Sequence, residues 1–176
     1  HRRMSISKFI KRNLSSIQRS NRKKQVLRTV ASSDLNNYGI TNVYRMDSHN
    51  VGDYYCAPHL YFNDLHCNPV DIYDYKSNDT SVANNWVESI TNNALIIGGG
   101  GLLNRGRFEK QLKLFESLKS KGKKTVLWET GHNEKDKSRF GKVRSYNINV
   151  NNFGLVGVRD LGFTKKWVPC VSCMHK

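Results

Sequence analysis

Apolar residues recur along this chain with two different periods. Over residues 4–28, Ile6, Phe9, Ile10, Leu14 and Ile17 stand three or four apart with Lys and Arg between them, the spacing of one helical face. After that, short apolar runs alternate with helical patterns. Residues 40–46 read as a strand, 47–53 as a loop and 54–65 as a helix rich in Tyr. Residues 69–75 read as a second strand, 82–90 as a helix and 94–97 as a short buried strand that runs into a turn at 98–101. Residues 107–121 carry Phe108, Leu112, Phe115 and Leu118 on one face and predict an amphipathic helix. A strand at 125–128, a polar loop at 129–136, a helix at 138–150 and a strand at 153–158 complete the series. Asn147, Asn149, Ile148 and Val150 lower the helix propensity of the 138–150 segment.

Strands that alternate with helices imply a parallel sheet, because parallel neighbours need crossover connections. Short, wholly apolar strands such as 94–97 suit a sheet covered on both faces. The expected fold is therefore α/β: a Rossmann-like parallel sheet flanked by helices over residues 29–167, preceded by a basic amphipathic leader helix at 1–28. In such sheets ligands bind outside the carboxyl ends of the strands. The loops after the strands are where candidate chemistry belongs.

Charge refines this picture. The formal net charge is +15, but ten of the 29 Lys and Arg residues fall in residues 1–28, where there is no Asp or Glu. The rest of the chain has nineteen basic against fourteen acidic residues, a net +5. A nucleic-acid binder would spread its charge over a binding face, so no nucleic-acid partner is expected. The leader also lacks aromatic residues after Phe9 on which bases could stack. It reads either as a solvated helix packing on the domain edge or as a helix on an anionic membrane surface, where each basic residue contributes about 1 kcal/mol. No apolar run approaches a membrane span, and the leader has no continuous apolar core of a signal peptide. Cytoplasmic placement with reduced thiols is expected, and the membrane reading of the leader would put the chain, as a peripheral protein, at the inner face of the membrane.

Four strand-end segments could carry chemistry. Asn50, Val51, Gly52 and Asp53 follow the first strand; Asp53 could cap a following helix, Gly52 could adopt a positive φ, and backbone N–H groups there could face an anion. Gly98, Gly99, Gly100 and Gly101 follow the 94–97 strand and would let a ligand approach the backbone; no Walker Gly-Lys pair follows, and Leu103 replaces the third glycine of a dinucleotide fingerprint. Glu129 and His132 lie in the loop after residues 125–128, and His132 is suited to hold a phosphate or move a proton. Arg159 ends the last strand, where its planar fork fits a carboxylate or phosphate, or pairs with Asp160 in a structural role. Cys170 and Cys173 have C-x-x-C spacing, but Cys56 and Cys67 do not supply a second pair, so they read as small buried residues rather than a metal site.

Taken in order, these segments resemble the polysaccharide pyruvyl transferase family. The similar stretches are Asn50-Val51-Gly52-Asp53, Ala94 to Gly101, Val126-Leu127-Trp128-Glu129-Thr130-Gly131-His132, Phe153 to Asp160, and Val168-Pro169-Cys170-Val171-Ser172-Cys173-Met174, together covering roughly residues 40–175. The resemblance implies the first half of a two-domain architecture similar to GT-B glycosyltransferases, with residues 168–176 beginning the linker to a second domain. It implies transfer of a pyruvyl ketal from phosphoenolpyruvate to a sugar of a cell-surface glycan or a lipid-linked acceptor, with no metal and no cofactor beyond the donor. By resemblance, Arg159 clamps an anionic donor group and His132 binds phosphate or donates a proton. Asn50, Gly52, Asp53, Gly99, Gly100, Gly101 and Glu129 then line the substrate. Without the second domain, weak or no activity is expected. A nucleotide-sugar glycosyltransferase of similar architecture, or a non-catalytic membrane- or glycan-binding module, are the alternatives.

Overall fold

The computed structural model describes residues 6–34, 37–134 and 136–176, with side chains from Ile10 onward. Helix α1 (Ile6–Ser32) leads into a fully parallel sheet built from β1 (Asn37–Tyr44), β2 (Asn68–Asp71), β3 (Asn92–Ile97), β4 (Gly100–Leu103), β5 (Lys124–His132) and β6 (Leu155–Val158). The strands pair in the order β2-β1-β3-β5-β4, with β6 on the other edge of β5. Strand β4 continues β3 along the same edge of β5, because β3 pairs with residues 124–127 and β4 with residues 130–132. Gly98 and Gly99, joined by a cis peptide, link the two pieces. In effect the sheet has five columns: β2, β1, β3 with β4, β5 and β6. The expected α/β fold with a parallel sheet flanked by helices is present.

The chain leaves β1 towards β2 and leaves β3 towards β5, in opposite directions across the sheet. Right-handed crossovers then put the first connection on one face and the later ones on the other. Helices α3 (Thr80–Ile90) and α4 (Glu109–Leu118) pack with α1 on one face. On that face Val30, Val43, Ile72, Trp86, Ile90, Leu95, Ile97, Leu112, Phe115, Leu118 and Leu127 are fully buried. The opposite face is covered more thinly. There α2 (Val51–Tyr54), two 3-10 turns (Pro58–Leu60 and Asn63–Leu65) and the C-terminal residues meet the sheet, with Phe62 5.2 Å from Trp128 and Val171 buried. The point where the strand order reverses lies between β1 and β3, at their carboxyl ends. Doubly wound sheets bind ligands at that place.

Several elements differ from the sequence reading, each for a local reason. The helix expected at 54–65 is three short pieces, broken at Pro58 and ended by His66 in the left-handed region. Strand β2 stops at Asp71, whose carboxylate accepts the Tyr73 and Met46 N–H groups at 2.7 and 2.9 Å and turns the chain into a 3-10 turn at Asp74–Lys76. Gly100 and Gly101 belong to β4 rather than to a turn, and the loop expected from residue 129 is strand as far as His132. Residues 138–150 are not a helix. Asp136 and Asn149 bond the Ser138 and Asn151 N–H groups at 2.9 and 3.1 Å, forming two 3-10 turns whose local bonds compete with a helical ladder. Helix α1 runs past residue 28, and its last turns join the core through Val30. Residues 168–176, read as a linker, lie against the sheet, with the Val168 N–H donating to Val158 O at 2.9 Å. No helix among the described residues is long and apolar enough to cross a membrane.

Candidate anion-binding site

The carboxyl ends of β1, β4, β5 and β6 converge on one cluster, and a bulge in β5 decides which side chains enter it. Register runs from Trp128 opposite Gly157 directly to Thr130 opposite Val158, so Glu129 is an extra residue, held with φ 49°. A bulge of this kind inverts the in–out alternation beyond it. Gly131 therefore faces the thinly covered side and His132 the helical side. Just past β6, Arg159 lies against Gly131 and Asp160 against His132.

The contacts follow this parity. On the thinly covered face, a Cβ at Gly131 would overlap the Arg159 side chain. One at Gly101 would meet Asn133 Nδ2 at 2.9 Å and Arg159 Nη2 at 3.2 Å. One at Gly100 would meet Cys56 Sγ at 2.9 Å and Asp53 Oδ1 at 3.4 Å, and one at Gly99 would overlap Glu129 Oε1 and the Cys56 carbonyl. The four glycines thus make room for the protein's own functional side chains. The expected open approach of a ligand to the Gly99 and Gly100 backbone is replaced by Glu129, Cys56, Asp53 and Arg159. The buried Asn42 fixes the turn from below, donating from Nδ2 to Gly98 O at 2.6 Å.

On the opposite face, His132 forms a separate cluster. Its Nδ1 stands 3.0 Å from Asp160 Oδ1, off the line along which a ring N–H would donate, while its backbone N–H donates to Asp160 Oδ2 at 2.7 Å. Tyr146 donates its hydroxyl to the same Oδ2 at 2.8 Å, and burial followed by that bond raises the Tyr146 pKa. Phe163 stacks on both rings. Asp160 thus ties the 138–150 and 160–166 segments to the end of β5. The sequence places His132 and Arg159 at one strand edge, and both do lie there, but Arg159 packs against Gly131 and Gly101 while His132 meets Asp160 and Phe163.

Charge on the thinly covered face is unbalanced. Arg45 is paired with Asp71 and, at 3.2 Å, with Asp47. Arg105 and Arg159 have no ion pair or side-chain hydrogen bond among the described residues, although both lie close enough to Asp53 to act on it electrostatically. Burial nevertheless raises the Asp53 pKa, and Asn50 Nδ2 donates to its Oδ2 at 2.8 Å. Asp53 sits within α2 rather than capping it; Asn50 occupies the cap position without a side-chain cap bond, and Gly52 does not take a positive φ. Glu129 is fully buried, and neither carboxylate oxygen has a hydrogen-bond partner of ordinary geometry. Burial raises its pKa from 4.5 to about 8, against smaller opposing effects of the Cys170 thiol, the Arg159 guanidinium and the Val171 N–H. Glu129 is thus mainly neutral at pH 7 and leaves the Arg159 charge uncancelled. The result is a strand-tip site with two cations unmatched by carboxylates, which favours a small anion such as a phosphate or carboxylate.

No family model matches the chain, and no curated protein or solved structure was found to match it. Arg105, Cys56 and Asn42 join the site without having been read from the sequence, and Asn133 enters beside His132. Only folding brings them in, Arg105 following a left-handed Asn104 at the end of β4. Cys170 stands beside Glu129, whereas Cys173 is exposed rather than buried. Among the described residues no group of three or more His, Cys, Asp and Glu is arranged to hold a metal. The surface hollows lined by Lys113, Glu116, Lys119 and Asn151 lie beside α4 and include none of Asp53, Glu129 or Arg159.

Proposed function

We propose that this chain is the donor-binding, Rossmann-like half of a GT-B-like enzyme that transfers a pyruvyl ketal from phosphoenolpyruvate to a glycan sugar, as its resemblance to polysaccharide pyruvyl transferases implies. The observation that carries the reading is the pair of cations, Arg159 and Arg105, that follow β6 and β4 at the carboxyl edge of the sheet, both near Asp53 and neither ion-paired among the described residues. Phosphoenolpyruvate presents a phosphate and a carboxylate a few bonds apart, and guanidinium forks bind both types of oxyanion bidentately. In ketal formation two sugar hydroxyl oxygens bond to C2, phosphate leaves with its bridging oxygen, and of the two protons released one converts the methylene to methyl and the other goes to phosphate. Arg159 and Arg105 hold the donor's anions through this change and receive the phosphate as its charge grows. Asp53 and Asn50 border the acceptor side. His132, bound to Asp160 across the sheet, takes a positioning role at the strand end rather than that of proton donor.

The test is a calorimetric titration and a thermal-shift series on the chain with phosphoenolpyruvate, inorganic phosphate and a uridine-diphosphate sugar. Phosphoenolpyruvate should bind more tightly than phosphate. Arg159→Ala and Arg105→Ala should each weaken it roughly tenfold to a hundredfold, the worth of a charge-assisted hydrogen bond. Stabilisation by the nucleotide sugar but not by phosphoenolpyruvate would move the reading to a glycosyltransferase. Binding of neither would leave a non-catalytic module.

A further inference from the structure

Helix α1 has two functional halves. Its C-terminal half packs on the domain through Val26, Leu27, Val30 and Ala31, and Arg22 donates to Ser77 O at 2.8 Å and to Asn78 Oδ1 at 3.1 Å. Residues 10–19 overhang: Ser15 is half-buried and every other position is exposed, Ile10, Leu14 and Ile17 being 50%, 54% and 57% exposed. At about 100° per residue, Ile10, Leu14 and Ile17 share one stripe, rotated by roughly 130° from the face that meets the core. The stripe therefore does not extend the core packing. Followed towards the domain, the same face continues through Asn21, Lys24 and Arg28, all exposed. One side of the helix is thus aliphatic at its outer end and cationic at its inner end. Arg12 and Arg19 lie on the opposite face, and residues 1–28 contain no acidic residue.

From this arrangement we infer that α1 docks on an anionic lipid bilayer, lying in the plane of the interface. Ile10, Leu14 and Ile17 enter the headgroup–acyl boundary, while Lys24 and Arg28 meet the phosphates. Aliphatic side chains and an unbroken positive charge on one exposed helix are what such a surface rewards. A second copy of the helix fits less well, since antiparallel pairing would set Arg28 beside Ile10 and parallel pairing would oppose like charges. A nucleic acid would use the charge but has nothing to cover the aliphatic stripe. The inference is independent of the strand-tip site.

The test is flotation of the chain with phosphatidylserine-containing vesicles and with pure phosphatidylcholine vesicles, at low and at near-molar salt. Binding is expected only to the anionic vesicles and should fall as salt rises. Lys24→Gln with Arg28→Gln should weaken it roughly thirtyfold. The triple variant Ile10→Ser, Leu14→Ser, Ile17→Ser should abolish flotation without changing the melting temperature, because these side chains touch no core residue. Three results would overturn the inference: no flotation of the wild-type chain, equal flotation of the triple variant, or a dimer in sedimentation that the triple variant dissolves. Tight binding of a single-stranded oligonucleotide that the triple variant retains, without flotation, would assign the helix to nucleic acid instead.

Discussion

Replacing Glu129 with Gln tests the electrostatics of the strand tip directly. The folded chain holds this carboxyl with a pKa of about 8 against an ordinary 4.5, because the group is wholly buried and the Cys170 thiol, the Arg159 guanidinium and the Val171 N–H offset only part of that burial. Below pH 4.5 both the folded and the unfolded chain carry the proton, and the shift has no effect on stability. Between about pH 4.5 and 8 the unfolded chain has released it and the folded chain has kept it. The folded state then binds more protons, so stability falls as pH rises, by about 1.4 kcal/mol per pH unit. The loss reaches about 3 kcal/mol at pH 7 and about 5 kcal/mol above pH 8, where both states are ionised and it levels off. Gln has nearly the same shape and does not titrate. Other shifted groups are common to both proteins and cancel in the difference. Urea unfolding, followed by far-UV circular dichroism at intervals from pH 4 to pH 9 in both proteins, should therefore show stability curves that diverge in favour of Glu129→Gln as pH rises through this window. Parallel curves, or divergence of the opposite sign, would mean that Arg159 holds Glu129 ionised in the fold. The argument for an uncancelled cation at the site would fall with it.

Three further outcomes follow from the same geometry. Gly99→Ala should destabilise the chain by at least about 2 kcal/mol in thermal melts, because its Cβ would overlap both Glu129 Oε1 and the Cys56 carbonyl, and backbone cannot yield as a side-chain tip can. Lys123 is nearly fully buried with its amine unpartnered, and burial lowers its pKa from 10.5 to about 8. Here the unfolded chain binds the extra proton between pH 8 and 10.5, so stability should rise with pH across that range and carry a penalty of about 3 kcal/mol at pH 7; Lys123→Met should remove both, as read by urea unfolding at pH 7 and pH 10. Asp160→Asn should cost about 1–3 kcal/mol of stability by weakening the bonds from the His132 N–H and the Tyr146 hydroxyl. It should leave phosphoenolpyruvate affinity in a calorimetric titration unchanged, because that cluster faces away from Arg159.

The sheet and its order of elements were legible because they rest on periodicity. The buried runs at β3 and β5 and the face of α4 formed by Phe108, Leu112, Phe115 and Leu118 are signals that tertiary context reinforces. The errors fell where local side-chain bonds compete with propensity. Asp71 ends β2 early, and Asp136 and Asn149 break the 138–150 segment into 3-10 turns, through Asx contacts that an average over the window cannot register. The site was half legible. Its strand-end location follows from the α/β topology, and Arg159 and the glycine run are conspicuous by type. Arg105 and Cys56 are not, since nothing in their sequence neighbourhoods shows that their two loops meet.

The grouping of His132 with Arg159 failed for a reason that also explains why Arg159 is available. Counted along an uninterrupted strand from Trp128, which faces Phe62 on the thinly covered side, Thr130 and His132 would face that side as well. The left-handed Glu129 adds one residue, and every side chain after it changes face. His132 is carried to the helical side, where Asp160 meets it. Asp160, next to Arg159 in sequence just past β6, bonds the His132 N–H and the Tyr146 hydroxyl and makes no ion pair with Arg159. The bulge therefore has two effects. It buries a carboxyl that prefers to stay protonated beside Arg159, and it supplies the adjacent aspartate with a partner on the far face. Glu129→Val works against the bulge, because a β-branched residue avoids φ 49°; straightening β5 with a residue kept at 129 would return His132 to the Arg159 side and strip Asp160 of its ring partner. Such a substitution should lose both the stability contributed by the clamp and the anion affinity of the pocket, whereas Glu129→Gln, which keeps the bulge, should lose neither.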